Sequence, residues 1–383
     1  MRRCMPLLLV AAATLAPRPQ PAAAGLAGAG RSPTPPSPRA VSRLLVAWSP
    51  ANLPAGVEGA LDRLDGVRAT TVFAGLEWVA RSRSSGGEVI DDPPPGYAIP
   101  VETAVIEPHE YARLLGLAEG GAVAALEPGQ VLLSETSATL REGGRGIRLT
   151  SYRRTLQVTG VVPDSTTQGY EAVAAWPVPG RWPNAIRFVI VRADNDVSRA
   201  RIRAAIRDAA GSRPLRLRSE TQTPFLRYAD AVRPQASIKR AFGEFAADRI
   251  DGGRIAITGR WLSRRIVTDR VPILGDVTCH RRLFAQLRGA LRELRERGLA
   301  HLVRRDQYAG CYNARFIATI PGTRLSRHSW GVAVDLNTSG NAFGAEPHQD
   351  PRLVRTMRRW GFTWGGTWPI PDGMHFEWTL FAG

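Results

Sequence analysis

Three features are scarce in this chain of 383 residues: cysteine, lysine and long apolar segments. The three cysteines form no Cys-x-x-Cys pair, which argues against a zinc site made of thiolates. Lys239 is the only lysine, so the formal net charge of +17 is carried almost wholly by arginine. After the first 24 residues, no segment is long and apolar enough to cross a bilayer, which excludes a membrane span from the rest of the sequence.

The N-terminus has the pattern of an export signal. A basic start at Met1–Arg3 precedes an apolar run from Met5 to Ala16 and the small residues Ala22–Ala24. We predict a signal peptide that is cleaved after Ala24 and an extracytoplasmic, secreted protein. The alternative is an apolar run that stays uncleaved as an anchor, and only in that case do we expect membrane contact.

Two cysteines remain after the signal peptide, Cys279 and Cys311, which is an even number for an oxidising compartment. A bridge between them would close a loop of about thirty residues and stabilise the fold by roughly 3 to 4 kcal/mol in the chain-entropy model. We predict this disulfide. Two buried free thiols are the alternative.

Composition and periodicity predict an α+β protein with two folded domains. Short apolar strands alternate with amphipathic helices, and a stretch rich in proline, alanine and glycine separates them from the N-terminus. The predicted segments are a signal peptide at 1–24, a linker at 25–41, an N-terminal α+β domain of unknown role at 42–221, a helical connector at 222–250 and a C-terminal domain at 251–383.

Two short motifs near the C-terminus predict a metal site. Alternation over 331–335 predicts a strand that places Asp335 on one face with two very small residues, which leaves room for a metal and a substrate. His328 lies seven positions before Asp335 in the segment that enters this strand. In a second predicted strand, His375 and Glu377 share the face opposite the apolar residues. Two imidazoles and one carboxylate are a standard catalytic zinc set, with the fourth position left to water.

Asp372 lies three positions before His375 in a Pro-Asp-Gly turn. From there it could approach a zinc-activated water without ligating the metal, accept a proton from that water and pass it to a leaving amine. Glu377 is a second carboxylate on the His375 face. It is expected either to support the ligand histidine from outside or to act as the base in place of Asp372.

At these residues the sequence resembles the zinc peptidases of the bacterial cell wall, the family of D-alanyl-D-alanine carboxypeptidases and L-alanyl-D-glutamate endopeptidases that includes VanY-like and phage endolysin enzymes. The family pattern Ser-x-His-x-x-Gly-x-Ala-x-Asp is met at Ser326, His328, Gly331, Ala333 and Asp335. The pattern acidic-x-x-His-Phe-Glu is met at Asp372, His375, Phe376 and Glu377. The resemblance covers roughly the last third of the chain.

The resemblance implies a small domain with a central antiparallel sheet flanked by helices, of the Hedgehog and D-Ala-D-Ala peptidase type. It implies one zinc ion per chain, held by His328, Asp335 and His375. Asp372 would be the general base, and Arg315 would bind substrate or polarise the scissile carbonyl, with Ser326 as a further substrate contact. The expected substrate is a peptidoglycan peptide, and the expected location is the cell wall.

A non-catalytic protein is the alternative. The same fold can keep zinc as a structural element, as in the related Hedgehog domains, and would then be a cell-wall-binding module. Residues 127–137 are also weakly similar to extracytoplasmic domains of bacterial ABC-transporter permeases, which points to a transporter-accessory role. Asp372 favours the enzyme, because a purely structural zinc site needs no carboxylate beside an open coordination position.

The positive charge has two explanations, a base-composition bias or a polyanionic partner. For an exported wall enzyme that partner would be an anionic wall polymer. No recognisable nucleic-acid motif accompanies the arginines, so we expect no nucleic-acid partner.

Overall fold

Apolar runs rich in valine, isoleucine and leucine form a large β-sheet in the first half of the chain. The computed structural model describes residues 43–116, 120–152, 154–175, 185–229, 233–320 and 324–381. The predicted signal peptide and linker lie outside these residues. From Arg43 onward the described residues belong to one compact unit.

Strands from the first half of the described chain pair into one sheet. They are β1 (Arg43–Trp48), β2 (Val67–Arg83), β3 (Val89–Asp91), β4 (Ile99–Ile106), β5 (Gln130–Ser134), β6 (Arg148–Ser151), β7 (Thr155–Val162), β8 (Ala172–Ala175), β9 (Ile186–Ala193) and β10 (Arg216–Ser219). Their order is β10-β1-β9-β2-β4-β8-β5-β7-β6, with β3 beside β2. Strand β6 also pairs with β2, so β2, β4, β8, β5, β7 and β6 close a ring. Apolar side chains such as Val101, Val131 and Leu149 fill its interior.

Helices cover the open part of this sheet. They are α1 (Val57–Asp62), α2 (Pro108–Leu115), α3 (Gly120–Ala124), α4 (Glu135–Leu140) and α5 (Arg199–Ala210). Ser198 caps α5 by accepting a hydrogen bond from the backbone N–H of Arg201, and Ile202 and Ile206 are fully buried against the sheet. Apolar runs at 44–48 and 187–192 predict strands, and the pattern over 198–210 predicts a helix. Strands β1 and β9 and helix α5 confirm these three predictions.

The second half of the chain contains shorter elements. They are α6 (Gln235–Phe242), β11 (Ala247–Ile250), β12 (Arg254–Ile257), α7 (Gly259–Arg265), β13 (Ile266–Val271), β14 (Gly275–His280), α8 (Phe284–Glu296), β15 (Ala333–Asp335), α9 (Pro351–Arg359), β16 (Phe362–Trp364) and β17 (His375–Trp378). Strands β11 with β12 and β13 with β14 form antiparallel hairpins. Strands β15, β17 and β16 form an antiparallel sheet with β17 in the centre.

The helical spacing of Leu283, Leu287, Leu291 and Leu294 predicts a helix that Thr278 caps and that runs to Arg297. Helix α8 packs this leucine stripe into the core, where Leu287, Leu291 and Leu294 are fully buried. Its predicted start was wrong. Thr278 does not cap the helix, because it lies in β14, pairs with Thr268 across the hairpin and contacts its hydroxyl at 2.8 Å. The helix begins only at Phe284.

The two halves share one hydrophobic core. Trp78 of β2 meets Phe316 edge-on, with 6.0 Å between ring centroids. The backbones of Ala98 and Ala247 exchange two hydrogen bonds of 2.9 and 3.0 Å. The sheet that carries the C-terminal motifs is therefore anchored to the large sheet.

The mixed content of helix and strand confirms the α+β class. The domain boundaries stay predictions. Across the described residues, no helix combines the length and the apolar character that a bilayer span requires.

Candidate metal centre

The antiparallel pairing of β15 with β17 brings two candidate ligands together. Asp335 lies directly opposite His375, and Ala333 lies opposite Glu377. Directly opposed residues project from the same face of a sheet, so the carboxylate and the imidazole point to the same side. The small Ala333, which is fully buried, lies on the same face.

His328 reaches the same place from a short 3-10 turn, Arg327–Trp330. Ser326 caps the turn, and its Oγ accepts a hydrogen bond of 3.3 Å from the His328 backbone N–H. Gly331 ends the turn with φ +64°, so it lies outside the strand that was predicted to begin there. Its smallness serves packing, because a Cβ would lie 2.6 Å from the backbone nitrogen of His280. The prediction that Gly331 leaves space for substrate was therefore wrong.

Donor atoms of three residues converge, with one oxygen of the Asp335 carboxylate toward each histidine. His328 Nε2 lies 3.2 Å from His375 Nδ1 and 3.2 Å from Asp335 Oδ2, and His375 Nδ1 lies 3.1 Å from Asp335 Oδ1. A tetrahedral zinc ion bound at about 2.0 to 2.1 Å holds its ligands about 3.3 Å apart. All three residues are buried. Geometry and donor chemistry therefore fit a zinc ion.

The other nitrogen of each ring has a neighbour that fixes which nitrogen faces the centre. His328 Nδ1 lies 2.8 Å from the carbonyl oxygen of Cys311, so it carries the proton and leaves the Nε2 lone pair free. His375 Nε2 lies 3.6 Å from Glu377 Oε2, which favours a proton on Nε2 and a lone pair on Nδ1. Both rings thus present a lone pair to the same point.

The protonation of Asp335 and His375 indicates that the centre favours a bound positive charge. Burial would raise the pKa of Asp335, but the neighbouring His328 and His375 rings hold that pKa well below its usual value. Burial favours a neutral His375, but its hydrogen bonds to Asp335 and Glu377 raise its pKa to about 10. The site thus attracts positive charge, and a metal ion would replace the proton on His375.

Asp372 is close enough to interact electrostatically with the candidate ligands. Burial raises the pKa of Asp372, His375 opposes the rise and the charge of Asp335 adds to it. The buried Oδ1 of Asp372 accepts no hydrogen bond from any described residue. A half-buried carboxylate with a free oxygen and a raised pKa has the properties of a proton acceptor.

The remaining predicted site residues lie nearby. Arg315 is half-buried, and its guanidinium donates to the carbonyl of Phe316 at 3.3 Å and lowers the pKa of Asp372. The Ser326 hydroxyl is engaged in capping the turn. Substrate roles for Arg315 and Ser326 stay predictions.

Sequence reasoning missed Arg327, and Trp368 is a second residue beside the candidate ligands. Arg327 is 8% exposed and lies 3.4 Å from Glu377, with Nε and Oε1 as the nearest atoms. The ring of Trp368 lies 5.3 Å from that of His375, at 49° to it. The position of Arg327 next to a ligand was the available signal, but an arginine in a sequence so rich in arginine does not attract notice.

The predicted disulfide between Cys279 and Cys311 is confirmed. It joins β14 to the segment whose carbonyl oxygen faces His328. A disulfide at this position fits an oxidising compartment.

Comparison with known proteins agrees with this centre. Residues 320–378, which include all three candidate ligands and Asp372, match the family model of D-alanyl-D-alanine carboxypeptidase. The match supports a peptidase family in broad terms for this segment, which is a small part of the chain.

One solved structure shows a weaker similarity to this chain. The periplasmic region of MacB from Actinobacillus actinomycetemcomitans is similar at 12% identity and a TM-score of 0.33, with 47% of this chain and 89% of that chain covered. A TM-score of that size does not establish a common fold. No curated protein matches this chain.

Proposed function

We propose that this protein is an exported zinc metallopeptidase that hydrolyses peptide bonds in peptidoglycan stem peptides, as a D-alanyl-D-alanine carboxypeptidase or an L-alanyl-D-glutamate endopeptidase. One observation carries the proposal. Donor atoms of His328, Asp335 and His375 lie 3.1 to 3.2 Å apart inside the segment that matches the carboxypeptidase family, with one Asp335 oxygen toward each histidine. Asp372, which has a free carboxylate oxygen, lies close enough to interact electrostatically with all three.

Each residue has a role in such a hydrolysis. Zinc held by these donors would lower the pKa of a water to about 7 and polarise the scissile carbonyl. Asp372 would accept the proton of the attacking water and donate it to the amine nitrogen as the C–N bond breaks. Arg315 would bind a substrate carboxylate or the developing oxyanion through its guanidinium. No covalent intermediate with the protein is needed.

A surface of arginines supports the further proposal of an anionic wall polymer as partner. Arg281 lies against the end of α7: its backbone N–H donates to the carbonyl oxygen of Arg265 at 2.8 Å, and its guanidinium donates to the carbonyl oxygen of Arg264 at 3.3 Å. The surface consists of Arg260, Arg264, Arg265, Arg281 and Arg282. Within the described chain none of the five forms an ion pair, whereas other surface arginines do. Unpaired guanidinium groups bind phosphate and carboxylate readily.

Salt-dependent binding tests this partner. Purified cell wall should retain the protein at low salt, release it at high salt, and retain less of the double variant Arg264→Ser with Arg281→Ser. Arg352→Ser, which removes an arginine already paired with Asp350, is the matched control. Equal retention of both variants would contradict the proposed partner.

A non-catalytic zinc module for wall binding or transporter accessory function is the second candidate. It shares the three ligands, but it gives no reason for the free oxygen of Asp372. Digestion of purified muropeptides by the mature protein, read by mass spectrometry, separates the candidates. Loss of a terminal D-alanine indicates a carboxypeptidase and internal cleavage an endopeptidase. If protein that carries one zinc per chain cleaves no muropeptide, the result favours the non-catalytic zinc module.

A further inference from the structure

Two buried charged side chains next to the candidate ligands have no role in the proposed reaction. Arg327 immediately precedes His328, and Glu377 follows His375 by two residues. Only 8% of Arg327 and 2% of Glu377 is exposed. Ions are seldom buried unless they are paired, so their presence at this place calls for a structural reason.

The two side chains form a line that ends at a ligand. Arg327 Nε lies 3.4 Å from Glu377 Oε1, and Arg327 Nη2 donates a hydrogen bond of 2.8 Å to the carbonyl oxygen of Arg233. The other oxygen of Glu377 lies 3.6 Å from Nε2 of His375. The line thus reaches the His375 ring at the nitrogen that does not face the candidate metal position.

This contact decides which nitrogen of His375 can bind a metal. A carboxylate beside Nε2 favours a proton on that nitrogen, which leaves the lone pair on Nδ1. Nδ1 is the atom that lies 3.1 Å from Asp335 and 3.2 Å from His328. If Glu377 moved or lost its charge, the ring would be free to turn or to change tautomer.

We propose that Arg327 is a positioning residue of the metal centre: it holds Glu377 in place, and Glu377 holds His375 with Nδ1 toward the cation. The inference rests on the proposed function, because it requires a cation at the three donors. Glu377 then acts from behind the ligand. A base for the attacking water would have to lie on the opposite side of His375, where the donors converge.

Zinc affinity, measured by competition with a chelator of known affinity, tests the inference without any substrate. Loss of a residue that orients a ligand weakens metal binding by about 10- to 100-fold. We expect this loss in Glu377→Gln and in Arg327→Met, with partial recovery in Arg327→Lys. If Arg327 acts through Glu377, adding Arg327→Met to Glu377→Gln should cost about twofold or less, because coupled residues are not additive.

A control variant separates positioning from general damage to the fold. Glu77→Gln breaks another buried ion pair, the one that Glu77 forms with Arg154 in the large sheet. It should lower the thermal unfolding temperature and leave zinc affinity unchanged.

The possible outcomes are distinct. Suppose that the wild type binds zinc and that Glu377→Gln and the two Arg327 variants bind it with unchanged affinity. That result would overturn this inference and leave the proposed function standing. Additive losses in the double variant would show that Arg327 does not act through Glu377. A wild type that binds no zinc would overturn the proposed function, and the inference with it.

Discussion

Two buried clusters of charge in this protein are built in opposite ways. In the first, at the junction of the large sheet with α6, Lys239 Nζ lies 2.8 Å from Glu171 and 2.7 Å from Glu244, and Arg141 pairs with Glu244 at 2.5 Å. In the second, Asp335 has imidazoles as its neighbours, and among the described residues no arginine or lysine forms an ion pair with it.

The difference separates a structural cluster from a binding site. The cluster around Lys239 contains its own cations, so it is neutralised within the fold. Burial alone would raise the pKa of Glu244, but Arg141 and Lys239 hold that pKa well below its usual value. The centre around Asp335 gathers electron-pair donors without a fixed positive charge, so it is completed only by a proton or a metal ion. Burial of charged residues alone therefore does not indicate function. The positive and negative charges within each buried cluster must also be compared.

The largest expected effect is loss of the metal. His328→Ala and His375→Ala each remove one of three protein ligands, so we expect both variants to lose zinc and activity together. Metal analysis of the purified proteins checks this. His301→Ala is the matched control, since His301 lies in a separate turn and should keep one zinc per chain. If a variant without His328 still bound zinc tightly, the three donors would not form the zinc site. The contrast between a binding site and a structural cluster would then be wrong.

Removal of Asp372 should separate metal binding from catalysis. Asp372→Asn keeps the shape of the side chain but cannot accept the proton, so we expect one zinc per chain and turnover lower by about 10²- to 10⁴-fold. Steady-state hydrolysis of a stem peptide measures this. A fully active Asp372→Asn would transfer the role of base to Glu377.

Substitution of the only lysine should affect stability alone. Lys239→Met leaves Glu171 and Glu244 with Arg141 as the remaining cation, and breaking a buried ion pair costs about 3 to 5 kcal/mol. Zinc content of the folded protein should not change. Chemical unfolding measures the loss, and Arg270→Met, which breaks the exposed pair with Asp276, should cost about 1 kcal/mol or less. Loss of zinc in folded Lys239→Met would show that the two clusters are not independent.

A smaller effect is expected from pH through His280. Its Nδ1 accepts from the backbone of Arg282 and its Nε2 donates to the carbonyl of Phe242, and burial lowers its pKa to about 4. Because the folded pKa lies below the unfolded value of about 6.5, this stability is present above pH 6.5 and is lost as pH falls toward 4, by about 2 to 3 kcal/mol in total.

Unfolding free energies between pH 4 and pH 7 check this expectation. The slope should be smaller in His280→Gln, which keeps a donor and an acceptor but does not titrate. An identical slope in both proteins would assign the acid sensitivity to other groups.

Two of the three candidate metal ligands were predictable from sequence because their positions follow strand geometry. Asp335, His375 and Glu377 fall on strands whose alternation sets the face of each side chain. The leucine stripe of α8 was predictable for the same reason, since helical periodicity decides which side is buried. The errors at Thr278 and Gly331 arose where a hairpin and a tight turn, formed by contacts with distant residues, replaced the local preference.

The sequence by itself determined the α+β class, elements such as β1, β9 and the leucine stripe of α8, and the identity of the candidate ligands, because these follow from local periodicity and side-chain chemistry. Only the tertiary structure decided which charges meet. The closed ring of strands, the burial of Lys239 and the line from Arg327 to His375 all join residues far apart in the chain. Such contacts depend on how whole elements pack, and no local pattern records them.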